Sequence, residues 1–477
     1  MSFKKTFLKN LFILGSYNLS TQLSSFLLSV IASRLISPES FGLVGLITVF
    51  TGFIATFSDN GISQVVIRSP YGSIYHKGLF ALAVITGFLS CILTLFLVYP
   101  VSFFYSNPEI IYPGIAIAFL FVVRSLYIVP LGLLQKKLAF SYIGKINLFA
   151  GIINIVAVVL LALLGLQYWA LILPQFLVAF YLFAAFNHRI RLVPSRRWAV
   201  VKKTFQITRK IIGSMLGFNI VNYWSRNLDN LLAGKLYGPF ALGIYSRGYS
   251  MLNFSLVAIS GLFSSVLYPS LVKLKTESGN VQAEYYFILK IISIINIPAA
   301  FILLIFPETI SLLLWGKNWI GVSYLLPYFG LLMLTQTLLS TAGNILLLEH
   351  KERNMMVGGW ISSAFMMGGI VLGSLFSIVK IAAFYSLFYI LLVLPFNMVY
   401  LYYKTLGHSI SLMLKFWMPK ILVSLLMWMA IYYSNDYVLY GGLAIWLLMI
   451  LSDAQKEIRK VYTLLRLNKS NMYNRQQ

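Results

Sequence analysis

The chain has one cysteine, Cys91, in 477 residues. A single thiol excludes an intrachain disulfide and any cysteine-built metal centre. Acid is also scarce, with 12 Asp and Glu against 37 Lys and Arg. The four histidines, His76, His188, His350 and His408, all fall in expected loops, which excludes an intramembrane histidine relay. The phosphate-cradling pattern G-x-x-x-x-G-K-[ST] is missing, so P-loop nucleotide hydrolysis is not the expected energy source. No metal or organic cofactor is called for; a proton or sodium gradient is the expected drive.

What is present is apolar. Hydrophobic residues make up 59% and charged residues 10%, with mean hydropathy +0.84. Soluble domains carry about 25% charged residues. The composition is that of an all-α polytopic membrane protein. The net charge of +25 is assigned to positive-inside loops rather than to nucleic acid.

Apolar runs long enough to cross a bilayer number about fourteen, from 11–32 to 438–452. The basic N-terminus (Lys4, Lys5, Lys9) reads as the flank of a first span, not as a cleavable leader. On this topology Arg34, Lys235, Lys317 and Lys380 lie on one face, and Arg124, Arg226, Arg247 and Lys290 lie within spans. That leaves 29 of the 37 cations on the other face, which the positive-inside rule makes cytoplasmic, with both termini.

The sequence divides into a first lobe of six spans (1–187), a basic linker (188–210), a second lobe of six spans (211–402), two further spans (403–453) and a basic tail (454–477). The linker's second half reads either as an amphipathic surface helix or as a plain topological anchor. An internal echo supports the two lobes. Ala32, Leu35, Pro38 and Gly42 recur as Ala233, Leu236, Pro239 and Gly243 at a constant offset of 201, and Arg34 meets Lys235 in charge. Six spans separate the copies, so they share one orientation, giving two pseudo-symmetric lobes in a parallel repeat. The shared pattern is a helix exit, a turn and a re-entry.

Charge inside spans marks the candidate site. A charged side chain at a helix centre costs roughly 2.5–3.5 kcal/mol on insertion scales. Arg226 and Asp229 sit three apart in span 7 and can pair; they read either as a buried structural pair or as an anion ligand beside an ion-coupling carboxylate. Asp229 is the one carboxylate expected well inside a span. Arg124 lies near the middle of span 4 with no acid close in sequence, which suits contact with an anionic ligand. Arg247 lies near the outer mouth of span 8, within snorkelling reach. Span 1 is unusually polar. Asn18 and Gln22 share one face, as do Asn219, Asn222, Tyr223 and Arg226 in span 7; each stripe lines a cavity or packs helices. At the repeat offset Ser25 stands opposite Arg226 and Leu28 opposite Asp229, so the charged pair belongs to the second copy only. The sum is a cationic lumen, and guanidinium forks suit phosphate oxygens.

Residues 225–249, Ser33–Leu43, Leu134–Phe140 and Leu164–Leu171 together resemble the bacterial polysaccharide transporter family. The resemblance is to colanic-acid and O-antigen exporters of the multidrug/oligosaccharidyl-lipid/polysaccharide flippase superfamily. It implies two six-helix lobes around a V-shaped cavity plus two C-terminal helices. It implies flipping of undecaprenyl-pyrophosphate-linked oligosaccharide across the bacterial cytoplasmic membrane, with cavity cations holding the pyrophosphate. Partners would be the lipid-linked oligosaccharide, membrane lipids, a polymerase and a chain-length regulator. Arg226 and Arg124 fit the pyrophosphate role by type and depth; Arg247, Asn18, Gln22 and Asn222 complete the candidate lining. Spans 13 and 14 match no motif. An integral-membrane polymerase, ligase or glycosyltransferase is the alternative, disfavoured by short outer loops of about 4–15 residues. A multidrug exporter ranks lower, because cationic drugs call for more acid than Asp229.

Overall fold

The computed structural model describes Gln22, 24–58, Ile62, 65–67, 72–276, 280–449 and Leu451, with the backbone alone over 210–222 and parts of 259–276. Ten helices among the described residues are long and apolar enough to cross a membrane.

The described residues up to Arg247, together with Ser311–Gly321, form one compact unit. It opens with α1 (Ser24–Leu35) and α2 (Pro38–Ser58). Then come α3 (Ser73–Tyr105), α4 (Ile111–Lys136), α5 (Phe140–Leu163) and α6 (Trp169–Ile190). A helical run from Trp198 to Thr276 breaks at Gly238, whose φ of 79° is open to glycine. The break separates α7 (198–237) from α8 (239–276). The start of α7 is amphipathic: Val201, Thr204 and Thr208 are buried while Lys202, Lys203 and Arg209 are exposed. Its buried face meets α3 at Gly78, where a Cβ would overlap the Thr204 hydroxyl.

The sequence echo is a physical crossing. Pro38 and Pro239 each occupy the first position of a helix, where the missing N–H costs nothing. A Cβ on Gly42 would overlap the carbonyl of Pro239, and a Cβ on Gly243 would overlap the carbonyl of Pro38. Residue i of one copy touches residue j of the other and the reverse, as two-fold related elements do. The two matched cations also act alike. Arg34 donates to the carbonyls of Leu313 and Leu314 at the end of the Pro307–Leu314 helix, and Lys235 donates to that of Phe104 at the end of α3. Each satisfies a helix C-terminus that has no intrahelical donors left.

The second compact unit holds Gly248–Ile310 and the described residues from Val322 onward. It contains α9 (Val281–Ile305), the start of α10 (Pro307–Leu314), α11 (Leu326–Leu339), α12 (Ala342–Leu348) and α13 (Glu352–Ser374). The last elements are α14 (Ile378–Thr405), α15 (Ile410–Tyr432) and α16 (Asp436–Met449). Helix α14 widens into π turns on either side of Pro395, which cannot donate to the preceding turn.

Between α14 and α15, His408 is 4% exposed among Tyr285, Tyr286 and Tyr402, and its Nδ1 has no partner among the described residues. Burial pushes its pKa from 6.5 down to about 4. Below pH 6.5 an unfolded chain takes up a proton that the folded ring refuses. The contribution is therefore complete above pH 6.5 and is lost as pH falls towards 4. Acidification from neutrality to about pH 5 should cost about 1–2 kcal/mol at this residue. His408→Phe should remove that part of the acid sensitivity, read as the difference in Tm between the two pH values in detergent.

Candidate functional site

In the first unit a cavity of about 370 Å³ opens between α1, α4, α5, α6 and the start of α8. Its polar lining comes from Ser25, Ser29, Arg124, Asn154, Gln175 and Arg247. Ser25 and Ser29 lie four apart, on the polar face of α1 that lipid would not accept. Two guanidinium groups and no carboxylate are among the described residues lining it.

Arg124 reaches the cavity from the middle of α4. Its Nη2 donates to Gln175 Oε1 at 2.7 Å, and Gln175 Nε2 donates back to its own helix at Leu171 O, 2.7 Å away. The second bond fixes the amide, so its carbonyl oxygen faces the arginine. A guanidinium carries five donors, and this contact uses one of them. The Arg124–Gln175 pair also borders a second cavity of about 120 Å³, with Thr48, Thr51 and Gly52 on its far side.

Arg247 enters the same cavity from α8. Its guanidinium carbon lies 4.0 Å from the Phe41 ring centroid and 5.8 Å from that of Trp319, and Nη1 donates to Ser29 Oγ. Trp319 is itself fixed, its Nε1 donating to Ser33 O at 2.6 Å and its ring meeting Phe41 edge-on at 5.4 Å. Cation–π contact replaces part of the lost hydration without neutralising the charge.

The other residues expected from sequence distribute as follows. Arg226 is exposed and is not among the lining residues of this cavity. Of the two readings left open for Arg226 and Asp229, the direct pair is not seen between these described side chains. Asp229 is 2% exposed, and its oxygens accept from Tyr245 Oη at 3.0 Å and from the Asn230 N–H at 2.8 Å. Three residues of helix turn Asp229 inward and Arg226 outward, and the chain reversal at Gly238 brings Tyr245 to the carboxylate instead. Tyr223 packs on α2, its hydroxyl donating to Val49 O at 2.5 Å where Gly52 leaves room. Gln22 is half-buried and lines neither cavity. Asn18 lies outside the described residues, and of Asn222 only the backbone is described. Gln175, Asn154 and Trp319 join the site without a sequence signal, since no local pattern links them to Arg124 or Arg247.

Against known families, the profile of the polysaccharide biosynthesis proteins matches residues 30–324, the stretch that carries both arginines and the crossing. The chain belongs to the polysaccharide biosynthesis protein family. Among curated relatives of this family member, the lipopolysaccharide biosynthesis protein WzxC of Escherichia coli K12 is 25% identical over 321 residues, 63% of this chain and 62% of WzxC. The succinoglycan biosynthesis transport protein ExoT of Rhizobium meliloti is 22% identical over 316 residues, 65% of this chain and 62% of ExoT. The chain thus spans less than two thirds of the length of these relatives. Two solved structures share the fold. The lipid II flippase MurJ in an inward closed conformation superposes with TM-score 0.64 at 14% identity, over 94% of this chain and 99% of MurJ. An inward-facing multidrug transporter of the MATE family gives 0.62 at 13% identity, over 84% of this chain and 99% of that one. The polysaccharide biosynthesis family member is therefore an all-helical membrane protein with a fold of the MurJ and MATE type.

Proposed function

We propose that this protein moves a lipid-linked oligosaccharide across the bacterial cytoplasmic membrane, holding the substrate's pyrophosphate between Arg124 and Arg247. The observation that carries the reading is a cavity inside an apolar bundle with two guanidinium groups and no carboxylate among its described lining residues. Charges kept at that cost mark a ligand path, and planar forks favour phosphate oxygens over sugar hydroxyls. In this reading fourteen spans form two six-helix lobes and a C-terminal pair, with both termini cytoplasmic. Undecaprenyl pyrophosphate is the carrier, the glycan occupies the aqueous interior, and rocking of the lobes changes the leaflet served. The names of WzxC and ExoT, with the MurJ-type fold, support this substrate class.

The test is a leaflet-protection assay. Purified protein is reconstituted with a fluorescent undecaprenyl-pyrophosphate oligosaccharide, and the fraction reachable by an external glycosidase is followed in time. Protein-dependent equilibration between leaflets is expected; none under either a proton or a sodium gradient would sink the proposal.

Asp229 is the proposed coupling group, a buried carboxylate next to a tyrosine hydroxyl. Asp229→Asn keeps the hydrogen-bonding shape and removes the charge. It should abolish the acceleration given by an ion gradient while leaving slow downhill exchange. An unchanged response to the gradient would remove Asp229 from coupling.

A further inference from the structure

The last two helices match no motif, yet they wall a groove in the second unit. Its volume is about 650 Å³, within the range of about 300–1,000 Å³ usual for small-molecule sites. It lies where α9 ends, α10 and α14 begin, and α15 turns into α16. The other end of the same unit carries Lys275, Lys351, Arg353 and Lys404. By the positive-inside rule that basic end is cytoplasmic and the groove faces outward.

The lining differs in kind from the cationic cavity. Tyr324, Tyr328, Tyr432 and Tyr440 supply rings, and Glu308 and Asp436 supply carboxylates. Two of the chain's 12 acids thus meet in one groove. The floor is preset. Trp428 donates its indole N–H to Ala383 O at 2.9 Å and to Ser386 Oγ at 3.1 Å, and Tyr432 stacks on it at 4.9 Å with 21° between the planes. Lys380 Nζ sits 3.5 Å from the centroid of the Tyr432 ring. Ser434, with φ 53°, makes the turn that carries Asp436 to the rim. Tyr324 and Tyr440 stay 64% and 51% exposed, so their faces are open to a ligand.

Aromatic faces against C–H surfaces, with carboxylates accepting from hydroxyls, is the chemistry that recognises uncharged sugars. The same carboxylates repel phosphate, and they make a poor bed for an acyl or prenyl chain. We infer that this groove binds neutral sugar residues of the oligosaccharide at the outer face, which gives the C-terminal helix pair a role in receiving the glycan. The inference rests on the proposed function for the ligand that reaches this face, but its test uses no transport.

The probe is the oligosaccharide repeat freed from its lipid pyrophosphate by mild acid, titrated onto the full chain in detergent. Binding is read from tryptophan emission, with Trp428 stacked beneath the floor as reporter, and by saturation-transfer NMR. Saturable binding is expected. The double variant Tyr324→Ala/Tyr440→Ala and the single variant Glu308→Gln should each weaken it about tenfold. Inorganic pyrophosphate should not compete. These side chains are exposed, so their loss leaves the fold intact, checked by unchanged Tm. Absence of saturable binding, binding indifferent to the tyrosine and glutamate changes, or competition by pyrophosphate would each overturn the inference. Transport without sugar binding would defeat the groove alone, and sugar binding without transport would defeat the flippase reading alone.

Discussion

Arg124→Gln should stop transport of the lipid-linked substrate while the protein still reaches the membrane in normal amounts. The side chain stands in mid-span, hydrogen-bonds to the neutral Gln175, and borders two cavities of its unit. A charge-assisted hydrogen bond to a buried partner is worth about 1.5–3 kcal/mol, and a forked contact with pyrophosphate makes more than one. Loss of the fork should lower the initial rate roughly 100-fold. Arg124→Lys should recover part of it, because a point charge remains and the planar geometry does not. Arg247→Gln should give a comparable loss, since its seat on Phe41 and Trp319 aims it into the same cavity. Arg226→Gln is the contrasting arm. Exposed and outside that cavity, it should change the rate by no more than about twofold. The leaflet-protection assay reads all four, and equal rates for wild type and Arg124→Gln would remove the phosphate-holding role.

Gly42→Ala and Gly243→Ala should each cost the protein its folded state or most of its stability. At both positions the first side-chain carbon meets a backbone carbonyl, which cannot rotate away as a side chain can. Overpacking costs about 1–3 kcal/mol where neighbours give, and more where they do not. Both contacts belong to one junction, so the double variant should fall short of the sum of the singles. Gly359→Ala and Gly441→Ala are the controls. Both glycines lie in helices with open space where the Cβ would go, and alanine there should gain about 0.5–1 kcal/mol. Monodispersity and Tm in detergent separate the outcomes. Equal stability for Gly42→Ala and Gly359→Ala would mean that the crossing is loose.

The echo at offset 201 was legible because turn chemistry leaves residue types behind: proline at a helix start, glycine where backbones meet. Arg124 was legible because a mid-span cation with no acid beside it is too costly to keep for packing alone. What the sequence could not show was which side chains converge across the chain. Gln175 lies 51 residues from Arg124, and Trp319 lies 286 from the Ser33 carbonyl it holds. Residues three apart share a helix face loosely enough that one can be buried and the other exposed, and Asp229 found Tyr245 instead of Arg226. The groove in the second unit escaped because its six named side chains come from segments that are unremarkable one by one.

The capped helix ends bear on how the substrate leaves. On the proposed topology four cations face outward. Arg34 and Lys235 are tied to helix carbonyls, Lys380 lies against the Tyr432 ring, and Lys317 is exposed. On that reading a pyrophosphate would meet little beside these cations that can grip it, whereas in the cavity of the first unit two guanidinium groups come together. On the proposed function, adhesion to the headgroup would decline along the exit path, and the substrate's departure would need no group devoted to expelling it.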